Sequence, residues 1–218
     1  MDKNLNSIQT KSCIYGRKDR EFVLKVMKFN GSILQHLSDE LKNDKEIFSI
    51  AVKNLGSALK FASKEIQNDR NFVLKSVKNC GWSLQFASDE LQNDKEIVLE
   101  AIKKDSCSFK YASKELQNDK EFILKAIKNN GFTLNFVPSK FQYDKELVLA
   151  AVKNDGFALS YAPKELQSNK KLVIGALKNI YFINYRFLNK YNINFFDAKI
   201  FYRYNIKRKT FKNILEFY

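Results

Sequence analysis

Residues 94–118 read DKEIVLEAIKKDSCSFKYASKELQN, and residues 144–168 read DKELVLAAVKNDGFALSYAPKELQS. The two stretches align without a gap, and the aspartate that opens them recurs at Asp19, Asp44, Asp69, Asp94, Asp119 and Asp144. Every step is 25 residues, and Asn169 continues the series in a weakened seventh unit. A fixed period of this length is the signature of stacked structural repeats, so it decides the fold before any single residue is weighed.

Positions are numbered here from the opening residue of each unit. Ile97, Val98, Ala101 and Ile102 fall at positions 4, 5, 8 and 9, the spacing of one helical stripe. The start of that helix is marked by Asn93 and Glu96, which resemble a capping box, with the intervening Asp94 as the alternative cap. Position 13 is glycine at Gly31, Gly56, Gly81, Gly131 and Gly156, with Ser106 breaking the set, and a glycine there is expected to end the helix in a left-handed residue. In the second half of the unit, Leu159, Ala162 and Leu166 keep helical spacing, while Pro138 and Pro163 both occupy position 20. Proline is tolerated at a helix start and not inside one, so a short helix over positions 14–19 and a second over 20–24 are predicted. One such unit cannot cover its own apolar face and must share a core with its neighbours. The predicted fold is therefore an all-α solenoid of about six to seven 25-residue helix-turn-helix repeats with a helical C-terminal cap.

The expected organisation is a polar segment or partial cap over residues 1–18, the solenoid over 19–180 and a capping segment over 181–218. That last segment carries 13 aromatic residues and eight Lys or Arg in its 38 residues. Its end, YRYNIKRKTFKNILEFY, interleaves Tyr202, Tyr204 and Phe211 with Arg203, Lys207, Arg208, Lys209 and Lys212. Two readings stand for it: an apolar cap for the last repeat, or a platform on which bases stack and phosphates pair.

The 218 residues carry a formal net charge of +14, an imbalance that suits an acidic partner. The cations, however, are 32 Lys against 6 Arg, in a chain with 22 Asn. Specific readers of phosphates and bases favour the planar fork of arginine, and an AT-rich coding sequence produces the same excess of Lys and Asn, so the charge alone is not read as function. Position 10 is nonetheless lysine throughout, as Lys28, Lys53, Lys78, Lys103, Lys128, Lys153 and Lys178. Stacking would set these about 10 Å apart, either as a solvated helix face or as a ridge that tracks an acidic polymer. Position 2 is basic throughout as well, from Arg20 to Lys170.

Catalytic and metal chemistry find little support. The single histidine, His36, stands at position 18, where other units have Phe61, Phe86, Tyr111, Phe136 and Tyr161, and is expected to be an aromatic-sized core substitute. Cys13, Cys80 and Cys107 share no repeat position and no C-x-x-C spacing, so neither a zinc site nor a disulfide framework is predicted. Phosphate-loop, nucleophile-elbow and dinucleotide motifs are lacking. No enzyme activity, cofactor or metal is expected. No apolar run long enough for a membrane span and no secretory signal is seen, so an intracellular, cytoplasmic location is expected.

The unit DKEIVLxAxKNxGxALxYASKELQN resembles a tandem helical repeat catalogued only as a domain of unknown function. The resemblance covers residues 19–168 strongly and 169–180 weakly, and residues beyond 180 lie outside it. It implies an all-helical solenoid and brings no activity, ligand or catalytic residue.

The functional expectation is a non-enzymatic repeat scaffold that binds a protein partner through its extended surface. Position 14 varies most visibly, as Ser32, Ser57, Trp82, Cys107, Phe132, Phe157 and Phe182, and Trp82, Phe132 and Phe157 are the candidate contacts if they are exposed. The alternative is nucleic-acid or anionic-surface binding through the lysine rows and the basic C-terminal segment.

Overall fold

A computed structural model of the chain describes residues 20–173, 175 and 176. The N-terminal segment, Lys178, Phe182 and the C-terminal segment with Arg203, Lys207, Arg208, Lys209 and Lys212 lie outside the described residues. All regular structure among the described residues is helical, in tandem repeats, and the chain is an all-α repeat solenoid. It divides into two compact units, one ending at Phe122 and the other starting at Ile123.

In the first unit, long helices span Arg20–Met27, Lys45–Asn54, Arg70–Asn79 and Lys95–Lys104. Each is followed by a 3-10 helix (Gly31–His36, Ala58–Phe61, Gly81–Phe86, Ser106–Tyr111) and then by a short α-helix (Asp39–Lys42, Lys64–Gln67, Asp89–Gln92, Lys114–Asn118). The long helix Lys120–Asn129 contains the division between the units. The second unit continues with Gly131–Asn135, Ser139–Gln142, Lys145–Asn154, Gly156–Tyr161 and Lys164–Gln167, and is helical again from 170. The predicted broken second half is thus present, but its first piece is a 3-10 helix. Four to six residues between two tight ends suit the narrower winding, which brings positions 13 and 16 onto one face. Gly81 and Leu84 are buried together in this way.

The apolar stripe lies where its spacing places it. Ile97, Val98, Ala101 and Ile102 are fully buried, as are Ile47, Phe48 and Ala51. Position 16 of the 3-10 helix adds Leu34, Leu59, Leu84 and Phe109 to the core of the first unit, and the short helix adds Leu41, Ile66, Leu91 and Leu116. The second unit repeats the arrangement with Leu147, Val148, Ala151, Val152, Leu134 and Leu166. Each large side chain removed from water in this way contributes roughly 1.5–3 kcal/mol.

Capping is settled in favour of aspartate. Asp94 Oδ1 accepts from the backbone N–H groups of Glu96 at 2.9 Å and Ile97 at 3.1 Å, and Asp44 and Asp144 do the same in their units. The asparagine before it is freed for another task. Asn43 Oδ1 accepts the hydroxyl of Ser63 at 2.7 Å, and Asn68 Oδ1 that of Ser88 at 2.7 Å, so position 25 of one repeat is tied to position 20 of the next. The N–H of Ser88 donates to the Gln67 carbonyl in the same step, at 3.0 Å. Pro138 and Pro163 have neither group to offer, and sit at the helix start with φ −53° and −56°.

The glycines at position 13 are there for a different reason from the expected one. The long helices end in an extended residue such as Cys80 (φ −146°) or Asp105 (φ −154°), without a left-handed glycine. What position 13 requires is room. A Cβ on Gly31 would stand 2.9 Å from the Ala51 carbonyl oxygen, and one on Gly131 would stand 2.7 Å from that of Ala151. At these glycines the turn of one repeat lies directly against the helix end of the next, and only hydrogen fits between them.

Candidate partner-binding surfaces

The edge formed by the 3-10 helices is fixed from position 12. Asn130 Oδ1 accepts the N–H of Phe132 at 3.2 Å, and Asp155 Oδ1 that of Phe157 at 2.8 Å. With positions 13 and 16 turned inward, positions 14, 17 and 18 are left at the surface. Trp82 is 48% exposed, and Phe132 and Phe157 are half-buried. In the first unit the Trp82 ring meets Tyr111 of the next repeat, centroids 6.2 Å apart at 55°. In the second, Phe132 meets Tyr161 at 5.8 Å and 75°. In these two places position 14 pairs with position 18 of the following repeat, tilted in the first and edge-on in the second, the latter a geometry that aromatic quadrupoles favour. Position 18 is half-buried in every described unit, His36 included, so His36 fills a surface ring position and not a core one.

Cys107 takes position 14 in the fourth repeat. Its thiol donates to Asp105 Oδ1 at 3.1 Å. Burial, followed by that carboxylate, pushes its pKa up to about 11, the opposite of an activated nucleophile.

The two basic rows differ. In the first unit, position 2 is occupied with holding repeats together. Arg20 Nε donates to Asp44 at 2.6 Å and its Nη2 to Glu46 at 2.5 Å, and Arg70 makes the same two contacts with Asp94 and Glu96. Lys45 reaches Asp69 at 3.2 Å, and Lys95 reaches Asp119 at 3.0 Å. Burial alone would push the Asp94 carboxyl up, but hydrogen bonds from Arg70 and from the Ile97 N–H outweigh it and leave the group below the usual carboxylate range. Asp44 is lowered in the same balance with Arg20.

Position 10 behaves differently. Lys28, Lys53, Lys78 and Lys103 in the first unit, and Lys128 and Lys153 in the second, are all exposed. Lys103 lies 3.9 Å from Glu100. Their backbones have a structural role: Asn54 Nδ2 donates to the Lys28 carbonyl at 3.2 Å, and Asn154 Nδ2 to that of Lys128 at 2.8 Å.

The outer face of the second unit carries a groove of about 400 Å³ between the long helices Lys120–Asn129 and Lys145–Asn154. Leu124, Leu149 and Ala150 form its floor, with Lys128 and Lys153 at one end and Glu146 at the other. The sequence reading passed over it, although a signal was present. Position 7 is Lys25, Ile50, Lys75, Glu100 and Lys125 in earlier units, then Ala150 and Gly175. A long side chain, charged in four of those five units, gives way to a methyl group, and the half-buried Leu124 and Leu149 at position 6 are uncovered.

Among the described residues no group of three or more His, Cys, Asp or Glu is placed to hold a metal ion. No helix among them is long and apolar enough to cross a membrane.

Four tandem segments, residues 19–67, 69–117, 98–142 and 144–197, match one family model, described as a domain of unknown function. The last runs to residue 197, so the family match extends past residue 180, where the resemblance was expected to end. No curated protein and no solved structure matches the chain.

Proposed function

The chain belongs to that family of tandem repeats (DUF4116), and on this premise we propose that it is a non-enzymatic scaffold that binds a protein partner through the aromatic edge of its 3-10 helices. The observation that carries the reading is Trp82, half-exposed beside Tyr111 at a position that Ser32 and Ser57 fill in the two preceding repeats. A large indole kept in water contributes little to the core and much to a desolvated contact. Phe132 and Phe157 supply the same kind of contact in the second unit.

Trp82 is the only tryptophan in the chain, so its emission reports its own environment. A peptide-display selection on the full chain tests the reading. Binders that blue-shift Trp82 emission and bind Trp82→Ala or Phe132→Ala at least tenfold more weakly are expected. Binders that leave the emission unchanged and ignore both substitutions would contradict the reading.

A second reading, binding of an acidic polymer, is favoured by one observation. Among the described residues, Lys28, Lys53 and Lys78 are exposed and have no ion pair. Their spacing along one face suits phosphates, whereas the position-2 cations Arg20, Lys45, Arg70 and Lys95 are already engaged.

A further inference from the structure

We propose that the groove over Leu124, Leu149 and Ala150 is a second docking site, and that its occupant is an acidic amphipathic helix from a partner protein. Leucine at position 6 is common to most units, and where position 7 shrinks to Ala150 a concave apolar surface opens between two long helices. Gly175 continues the change in the next repeat. A Cβ built on it meets only side-chain carbon, Val152 Cγ1 at 3.4 Å and Leu149 Cδ1 at 3.8 Å, so the backbone does not require a glycine there. An uncovered apolar groove between parallel ridges accepts the i, i+3, i+4 anchors of a helix.

Charge selects among occupants. Lys128 and Lys153 rim the end of the groove formed by the helix C-termini, and Glu146 stands at the other end. The complement is a helix with apolar side chains along one face and carboxylates at one end. A second copy of this chain fits poorly, because two molecules of net charge +14 repel. Nucleic acid fits poorly too, because the floor is aliphatic and offers no ring on which a base can stack.

The proposal rests on the partner-binding reading but uses different residues, so the two are separable. A phage-displayed library of acidic amphipathic helices is selected on the full chain, and the binders are measured by fluorescence anisotropy. Ala150→Lys restores the residue type found at Lys25, Lys75 and Lys125, and therefore preserves the fold, which circular dichroism checks. Binders at least tenfold weaker on Ala150→Lys and on Lys128→Glu, and unchanged on Trp82→Ala, are the expected result. The proposal is overturned by binders indifferent to Ala150→Lys, or by a selection that yields none. It is equally overturned if Ala150→Lys abolishes self-association or the binding of a labelled RNA, since the occupant is then a second copy or a polyanion.

Discussion

A Cβ built on Gly81 would stand 2.5 Å from the carbonyl oxygen of Ala101, in the next repeat. That approach sets how closely adjacent repeats stack. Gly81→Ala forces the repeats apart and is expected to cost about 1–3 kcal/mol in urea denaturation. Gly175→Ala is the control: its nearest contact is 3.4 Å, and the substitution should be neutral or slightly stabilising because alanine favours helix. Equal losses at both sites would show that the distance has no bearing.

Position 24 is a clamp on the end of the 3-10 helix. Gln92 Nε2 donates toward the carbonyls of Leu84 and Ala87 at 3.2 Å each, and Gln117 and Gln167 hold equivalent groups. Gln92→Ala leaves these acceptors to water and should cost about 1 kcal/mol. Amide hydrogen exchange should quicken around residues 84–88 first. Unchanged exchange there would remove the clamp from the account.

Acid should loosen the stack at the ion pairs. Asp44, Asp94 and Asp119 are all held below their ordinary pKa; for Asp119 the Phe122 N–H and then Lys95 are responsible. Because the folded values lie below the unfolded value of about 3.9, this stability is fully present above that pH and is lost as pH falls through the folded values. Melting temperature should be flat from about pH 5 upward, decline below about pH 4, and decline less in Asp94→Asn. A decline beginning near neutrality would point to other groups.

With Cys13 and Cys80 replaced by serine, Cys107 is the only thiol. Iodoacetamide should modify it slowly at neutral pH, with a rate that climbs toward a midpoint near 11. Removing the carboxylate with Asp105→Asn should shift that midpoint downward. Fast labelling at pH 7 would contradict the environment described.

Much of this architecture was legible because the repeat supplies six copies of each position. The buried stripe of Ile97, Val98, Ala101 and Ile102 follows from spacing alone, as does the break before Pro163. What sequence does not carry is contact between neighbours. The lateral bond from Ser63 to Asn43 joins residues 20 apart, and nothing local to either distinguishes it from a capping box. The glycines were legible as a constraint and misread as to cause, because a close approach and a positive φ leave the same residue in a sequence. The position-2 cations looked equivalent to those at position 10 until the carboxylates of the next helix start were seen beside Arg20 and Arg70. At the candidate site, position 14 was found by its variation, whereas its ring partner at position 18 was read as core.

The central claim, that the surface is built for a protein and not for a polyanion, is met most directly by anisotropy titrations of a labelled mixed-sequence RNA and a DNA duplex at about 50 and 200 mM salt. The account predicts weak binding that all but disappears at the higher salt and is the same for the full chain, for Trp82→Ala and for a chain ending at residue 180. Sub-micromolar binding that persists at the higher salt, and that is lost when Lys28, Lys53 and Lys78 are changed to glutamate or when the C-terminal segment is removed, would contradict it and make the lysine-rich surface the functional one.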